Sequence, residues 1–154
     1  MHIRILFVED NTHKREKIVA YLREISPGVH IVEAHSFASG CQRLLEQEYD
    51  LVLLDISLPT YDKGAGESGG RFRTFGGREI ARKIVRSGKR TMILFITQYE
   101  SFSDKQRWGA LALEQLGAEL SEDCNEMYRG LIFYDSSKAS WKDELRSAIE
   151  SVKK

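Results

Sequence analysis

Three acids and a hydroxyl stand where apolar runs of this chain end. Ile3 to Val8 is followed by Glu9, Asp10 and Asn11; Leu51-Val52-Leu53-Leu54 stops at Asp55; Thr91 to Ile96 stops at Thr97. A further run, Leu131-Ile132-Phe133-Tyr134, is followed within a few residues by Lys138. If the Glu9 and Asp55 runs are neighbouring strands, about 4.8 Å apart, their carboxylates crowd one small site. Acids that close are costly unless a cation joins them. Hard oxygen ligands with room for water or phosphate suit Mg2+.

Such a site needs a scaffold, and the rest of the chain supplies one. Thr12 is the expected N-cap of a first helix, with Ile18, Val19, Leu22 and Ile25 at helical spacing. Ser26-Pro27-Gly28 ends it, and Val29 to Ala34 reads as a second strand. Ser36 caps a helix with Phe37, Cys41, Leu44 and Leu45 on one face. Leu58 to Gly77 is irregular and Gly-rich. Helix resumes near Arg78, with Ile80, Ala81, Ile84 and Val85 inward, and closes at Ser87-Gly88. Asp104 to about Cys124 is helical in composition, with Leu111, Leu113, Leu116 and Leu120 as its apolar residues. Gly130 breaks into the fifth strand, and Ser140 caps a last helix facing inward with Trp141, Leu145, Ala148, Ile149 and Val152. Short apolar strands joined by helices pair in parallel, because each crossover is long and covers a sheet face. The expected fold is α/β: a doubly wound five-stranded parallel sheet, order 2-1-3-4-5, helices on both faces. In such sheets ligands bind beyond the carboxyl ends of the strands.

Composition narrows the function. Lys+Arg and Asp+Glu both number 23 in 154 residues, so the formal charge is zero. A neutral chain has no broad attraction to nucleic-acid phosphates or anionic lipid. Cys41 and Cys124 are too few for a disulfide framework and show no zinc spacing. They read as buried or half-buried thiols in a reducing compartment. His13, His30 and His35 share no metal spacing. The N-terminus reads as a strand and not as a signal peptide, and no apolar run approaches bilayer length. The expectation is one soluble, cytoplasmic domain spanning 1–154, with a Gly-rich insertion at about 63–76 and an extended segment at about 98–130.

The stretches Ile5-Leu6-Phe7-Val8-Glu9-Asp10-Asn11, Asp50 to Pro59 with its Leu54-Asp55-Ile56 centre, and Ile93-Leu94-Phe95-Ile96-Thr97 resemble the receiver domains of two-component response regulators. The resemblance covers nearly the whole chain and implies roles residue by residue. Asp55 would be the phosphoacceptor, forming an aspartyl phosphate. Asp10 would be the direct Mg2+ ligand with Glu9 as its acidic neighbour, and the Ser57 backbone carbonyl would complete the metal site with Asp55. Thr97 would follow the phosphoryl oxygens. The donor would be a histidine kinase or histidine phosphotransfer protein. A carboxylate is a weak nucleophile toward a phosphate anion, so Mg2+ and a Lys must neutralise the developing charge.

The family places that Lys at the end of the fifth strand. Counting back from the last helix puts Lys138 there; counting forward from Gly130 puts Tyr134 there. The arrangement favoured is Lys138, swung over Asp55 by a bulge in Asp135-Ser136-Ser137. The basic run His13-Lys14-Arg15-Lys17 reads as a solvated helix face, although in the family this helix also docks the phosphodonor. The Gly-rich stretch reads as a mobile surface loop, dispensable for the core, whose Phe72 and Phe75 could form a partner-binding tip. The chain ends at Lys153-Lys154 after the last helix, so no DNA-binding module is expected. Output would pass through another protein, with a homodimer left open. The alternative is a receiver-shaped adaptor that binds without phosphorylation.

Overall fold

The structure is a computed structural model and describes residues 2–63, 69–98 and 110–153. The β-branched and aromatic runs form a five-stranded parallel sheet of β1 (Arg4–Val8), β2 (His30–Ala34), β3 (Leu51–Leu54), β6 (Met92–Gln98) and β7 (Tyr128–Tyr134). Its order is β2-β1-β3-β6-β7. That is the expected 2-1-3-4-5 once an inserted hairpin, β4 (Leu58–Pro59) with β5 (Phe72–Arg73), is numbered. The helices are α1 (Thr12–Ile25), α2 (Phe37–Glu46), α3 (Gly76–Arg86), α4 (Ala110–Cys124) and α5 (Ser140–Lys153).

Strand side chains alternate between two apolar layers, as the pleat demands. Leu6, Val8, Val52, Leu54, Ile93 and Phe95 pack with Ile80 and Ile84 of α3 and Leu116 and Leu120 of α4. Ile5, Phe7, Leu51, Leu53, Leu94 and Ile96 pack with Ile18 and Leu22 of α1 and Trp141, Leu145 and Ile149 of α5. Covering both faces is why these strands read as unbroken apolar runs.

The boundaries differ from expectation where caps and ladders decide. Asn11, not Thr12, caps α1, its side chain accepting the Lys14 N–H. α3 starts at Gly76, ahead of Arg78, and β7 starts at Tyr128, ahead of Gly130. Gly130 sits beside a register shift opposite Ile93 and Leu94, with φ 131°. Ser36 caps α2 as expected, through a capping box with Ser39. Leu45, however, is 81% exposed and does not share the inward face. The helix read from Asp104 is described from Ala110; the part before it, and residues 64–68 of the Gly-rich stretch, lie outside the described residues.

What is described of that stretch includes a short hairpin. Leu58 pairs with Arg73 and Pro59 with Phe72, antiparallel. Thr60 N–H donates to Arg71 O at 3.0 Å and Tyr61 N–H to Gly69 O at 2.9 Å. The Arg73 guanidinium lies 4.2 Å from the Phe37 ring, and Phe75 packs against the core. Phe72 alone of the two phenylalanines is exposed, at 56%. Both cysteines are free thiols, Cys41 half-buried and Cys124 buried. Among the described residues no helix is long and apolar enough to cross a membrane.

Candidate functional site

The sheet ladder carries the acids to one edge. Beyond the last paired residues, Glu9 N–H still donates to Ala34 O at 2.9 Å and Asp55 N–H to Val8 O at 3.2 Å. Glu9 and Asp55 are thereby set side by side at the carboxyl ends of adjacent strands. Glu9, Asp10 and Asp55 each offer a carboxylate oxygen within 4.8 Å of the others. Glu9 and Asp55 are buried; Asp10 is half-buried. Thr97, wholly buried at the end of β6, donates its hydroxyl to Asp55 Oδ1 at 2.8 Å. Asp10, Asp55 and Ser57 open onto a cavity of about 500 Å³ rimmed by His13, Lys63 and Phe72. Lys63 Nζ stands 3.5 Å from Asp10 Oδ2.

The cation of the site comes from α1. Lys14 is wholly buried. Its ammonium lies 3.3 Å from Asp55 Oδ2 and 2.5 Å from Glu9 Oε1, and donates to Ile96 O at 2.9 Å. The Glu9 contact is an ion pair out of hydrogen-bond alignment. The Asn11 cap puts Lys14 in the first helical turn, where its stem runs back over the strand ends. Asn11 N–H in turn donates to Glu9 Oε2 at 3.0 Å. The basic run is therefore split. Lys14 is core, and Arg15 pairs with Glu33 at 2.9 Å. Reading Lys14 as part of a solvated face was wrong, because composition does not show which way a first-turn side chain points.

Lys138 is not where the sequence put it. It is exposed, in a turn where its N–H donates to Asp135 O at 3.0 Å. Among the described residues the ion pair on Asp55 is made by Lys14. Tyr134 ends β7 opposite Gln98, buried, with its ring 5.1 Å from Trp141.

The charges decide what the site can hold. Burial pushes the Glu9 carboxyl up to about 8, aided by the Asp55 charge and opposed by Lys14. Burial works against the Lys14 ammonium, but Asp55 and Glu9 outweigh it and hold its pKa above the ordinary lysine value. Burial drives Glu9 toward its neutral form, and the one buried ammonium does not meet both Asp10 and Asp55, so the cluster keeps a negative surplus. An oxygen-rich, half-open pocket with that surplus fits a small divalent cation.

α3 approaches the same edge closely. Gly77 N–H donates to Ile56 O at 2.8 Å, and a Cβ on Gly77 would sit 2.0 Å from the Asp55 carbonyl oxygen. Ser57 donates its hydroxyl to Thr74 O at 2.9 Å, tying the residues after Asp55 to the turn before α3.

The response regulator receiver domain family matches residues 5–115. The chain is 26% identical over 153 residues to the Detocs response regulatory protein DtcB of Enterobacter cloacae, covering 97% of this chain and 100% of that protein. It is 30% identical over 96 residues to the response regulator receiver protein CpdR of Brucella abortus, covering 62% of this chain and 67% of that one. In fold it is similar to the response regulator TrrA of Thermotoga maritima, crystallised with Mg2+ and BeF. There the TM-score is 0.61 at 23% identity, covering 97% of this chain and 98% of that one. A CheY-like receiver of Methanospirillum hungatei gives 0.65 at 17% identity, covering 99% and 95%. With the sheet order and the acid cluster, the family match settles the assignment: the chain belongs to the response regulator receiver domains of two-component signal transduction.

Proposed function

We propose that the chain accepts a phosphoryl group on Asp55 from a phosphohistidine donor, a histidine kinase or a histidine phosphotransfer protein, and signals through a protein-binding surface that responds to the phosphate. One observation carries this reading. The Asp55 carboxylate is held from both oxygens, by Thr97 on Oδ1 and Lys14 on Oδ2, at the mouth of an acid-lined cavity. A carboxylate kept only for capping has no use for a buried ammonium.

In the transfer, an Asp55 carboxylate oxygen forms a bond to phosphorus as the donor's P–N bond breaks. The imidazole leaves with the electron pair. Hydrolysis reverses the charge: water attacks phosphorus, the P–O bond to Asp55 breaks, and inorganic phosphate departs. Asp10, Glu9, Asp55 and the Ser57 carbonyl are the groups that would hold Mg2+, which when bound offsets charge on the phosphoryl oxygens. TrrA, similar in fold, was crystallised with Mg2+ and BeF, which is in keeping with a Mg2+ site. Thr97 and Lys14 position the nucleophile and meet the phosphoryl group, which adds about two negative charges at neutral pH. Transfer from a histidine kinase would take place in the cytoplasm.

The test is incubation with acetyl phosphate and Mg2+, read by intact mass. Wild-type protein gains one base-labile phosphoryl increment, and Asp55→Asn gains none. The same increment at the same yield in Asp55→Asn sinks the assignment. The adaptor alternative would be favoured by an Asp55 without a cation; Lys14 supplies one.

A further inference from the structure

We propose that Lys14, in the first turn of α1, is the catalytic cation for phosphoryl transfer to Asp55, taking the role the family gives to a lysine at the end of the last strand. The proposal rests on Asp55 being the phosphoacceptor.

The geometry is that of a group built into the reaction. Lys14 Nζ touches Asp55 Oδ2, Glu9 Oε1 and Ile96 O, and its side chain has no exposure. An ammonium in a helix's first turn opposes the helix dipole, and burying it unpaired is strongly unfavourable. The helix dipole and apolar packing both work against it there; the strand-end carboxylates and the Ile96 carbonyl offset that cost. Meanwhile the last strand has no basic side chain at its end. Tyr134 fills that place, its hydroxyl buried without a hydrogen-bond partner among the described residues and within the electrostatic reach of Lys14, Asp135 and Glu9. Lys138, beyond it, faces solvent.

Moving the cation moves the route of the signal. When an Asp55 oxygen bonds to phosphorus, Lys14 loses a carboxylate and gains phosphoryl oxygens. The pull falls on α1 and on Ile96 O, one residue before Thr97, and not on the turn between β7 and α5. Lys138 is then a bystander.

The experiment compares rates of acetyl phosphate labelling with Mg2+, by intact mass, for wild type, Lys14→Met, Lys14→Arg, Lys138→Ala and the double variant Lys14→Met/Tyr134→Lys. Melting is followed for each. Lys14→Met is expected to slow labelling by about 100-fold. Lys14→Arg should keep a measurable part of the rate, the double variant should regain at least about tenfold over Lys14→Met, and Lys138→Ala should match wild type. A folded Lys14→Met that labels like wild type overturns the proposal while leaving Asp55 in place. Slow labelling that neither Lys14→Arg nor the strand-end lysine improves, in folded protein, makes Lys14 a structural neutraliser of Glu9 and also overturns it. If Lys14→Met does not fold, the same two comparisons decide with Lys14→Arg and the double variant against wild type. Wild-type protein that never labels fails the phosphoacceptor reading itself, and the proposal with it.

Discussion

The Asp55 carboxylate is defined by the company its two oxygens keep. Thr97 contributes one hydrogen bond to Asp55 Oδ1, buried and 2.8 Å long. Replacing it by Ala leaves that oxygen short of a partner, a loss of about 1 kcal/mol. Thr97→Ala should therefore lower the free energy of unfolding in urea by that much, while Thr97→Ser keeps it. Labelling of Asp55 should persist in Thr97→Ala, but any phosphate-dependent shift in the Tyr or Trp fluorescence should be lost. An unchanged shift would detach Thr97 from the switch. At this scale the acids and Thr97 were legible, because each ends an apolar run and the run fixes where it emerges. Lys14 was not. Its place depends on the Asn11 cap, which rotates the helix so that its third residue, and not Arg15 or Lys17, points at the strand ends. Lys138 misled for the complementary reason. Its distance along the chain is short, but Tyr134 closes the strand end first.

Elements position the site by approaching closely, and α3 sets its backbone against that of Asp55. Gly77 meets the Asp55 backbone where no Cβ fits. Because the obstacle is a backbone oxygen and not a flexible side chain, Gly77→Ala should cost about 2 kcal/mol or more and slow labelling by shifting the Asp55 peptide. A wild-type urea midpoint would refute the close approach. Across the same face, Arg78 of α3 pairs with Asp123 at 2.7 Å and Glu119 at 2.9 Å of α4, and Arg82 joins Asp123 at 3.2 Å. Burial opposes the Asp123 charge, but Arg78 and Arg82 outweigh it and hold its carboxyl below the ordinary aspartate value. A depressed folded pKa contributes stability that is present above the unfolded pKa and lost as pH falls through the folded one. Arg78→Ala should thus be less stable than wild type by about 1 kcal/mol near neutral pH, and the gap should close in acid below the ordinary aspartate range. A pH-independent gap would assign the loss to packing. The long helices and strands were readable from periodicity. The β4–β5 hairpin was not, since two-residue strands carry no period and its glycines read as a loose loop.

For the whole molecule, the acid cluster sets function against stability. The fold gathers Glu9, Asp10 and Asp55 within 4.8 Å and buries one ammonium among them, Lys14. Lys14 does not meet the charge of both Asp10 and Asp55, and their repulsion works against the fold at the carboxyl edge of the sheet. Asp10 is the member to relieve. It is half-buried, and its one ion pair among the described residues is with the exposed Lys63 at 3.5 Å. Such an exposed pair contributes little, on the order of 0–1 kcal/mol. Asp10→Asn removes a charge at little loss of contact, so without metal the variant should be more stable than wild type by about 1 kcal/mol. Added Mg2+ should reverse the order. A cation that binds the folded state alone at 100 times its dissociation constant stabilises by about 2.7 kcal/mol. Wild type should gain in that way and Asp10→Asn should not, so their melting curves should cross as Mg2+ is titrated. Curves that move in parallel would place the cation away from Asp10. A variant already less stable than wild type without Mg2+ would show that Asp10 contributes to the fold, and that the unmet charge is absorbed elsewhere.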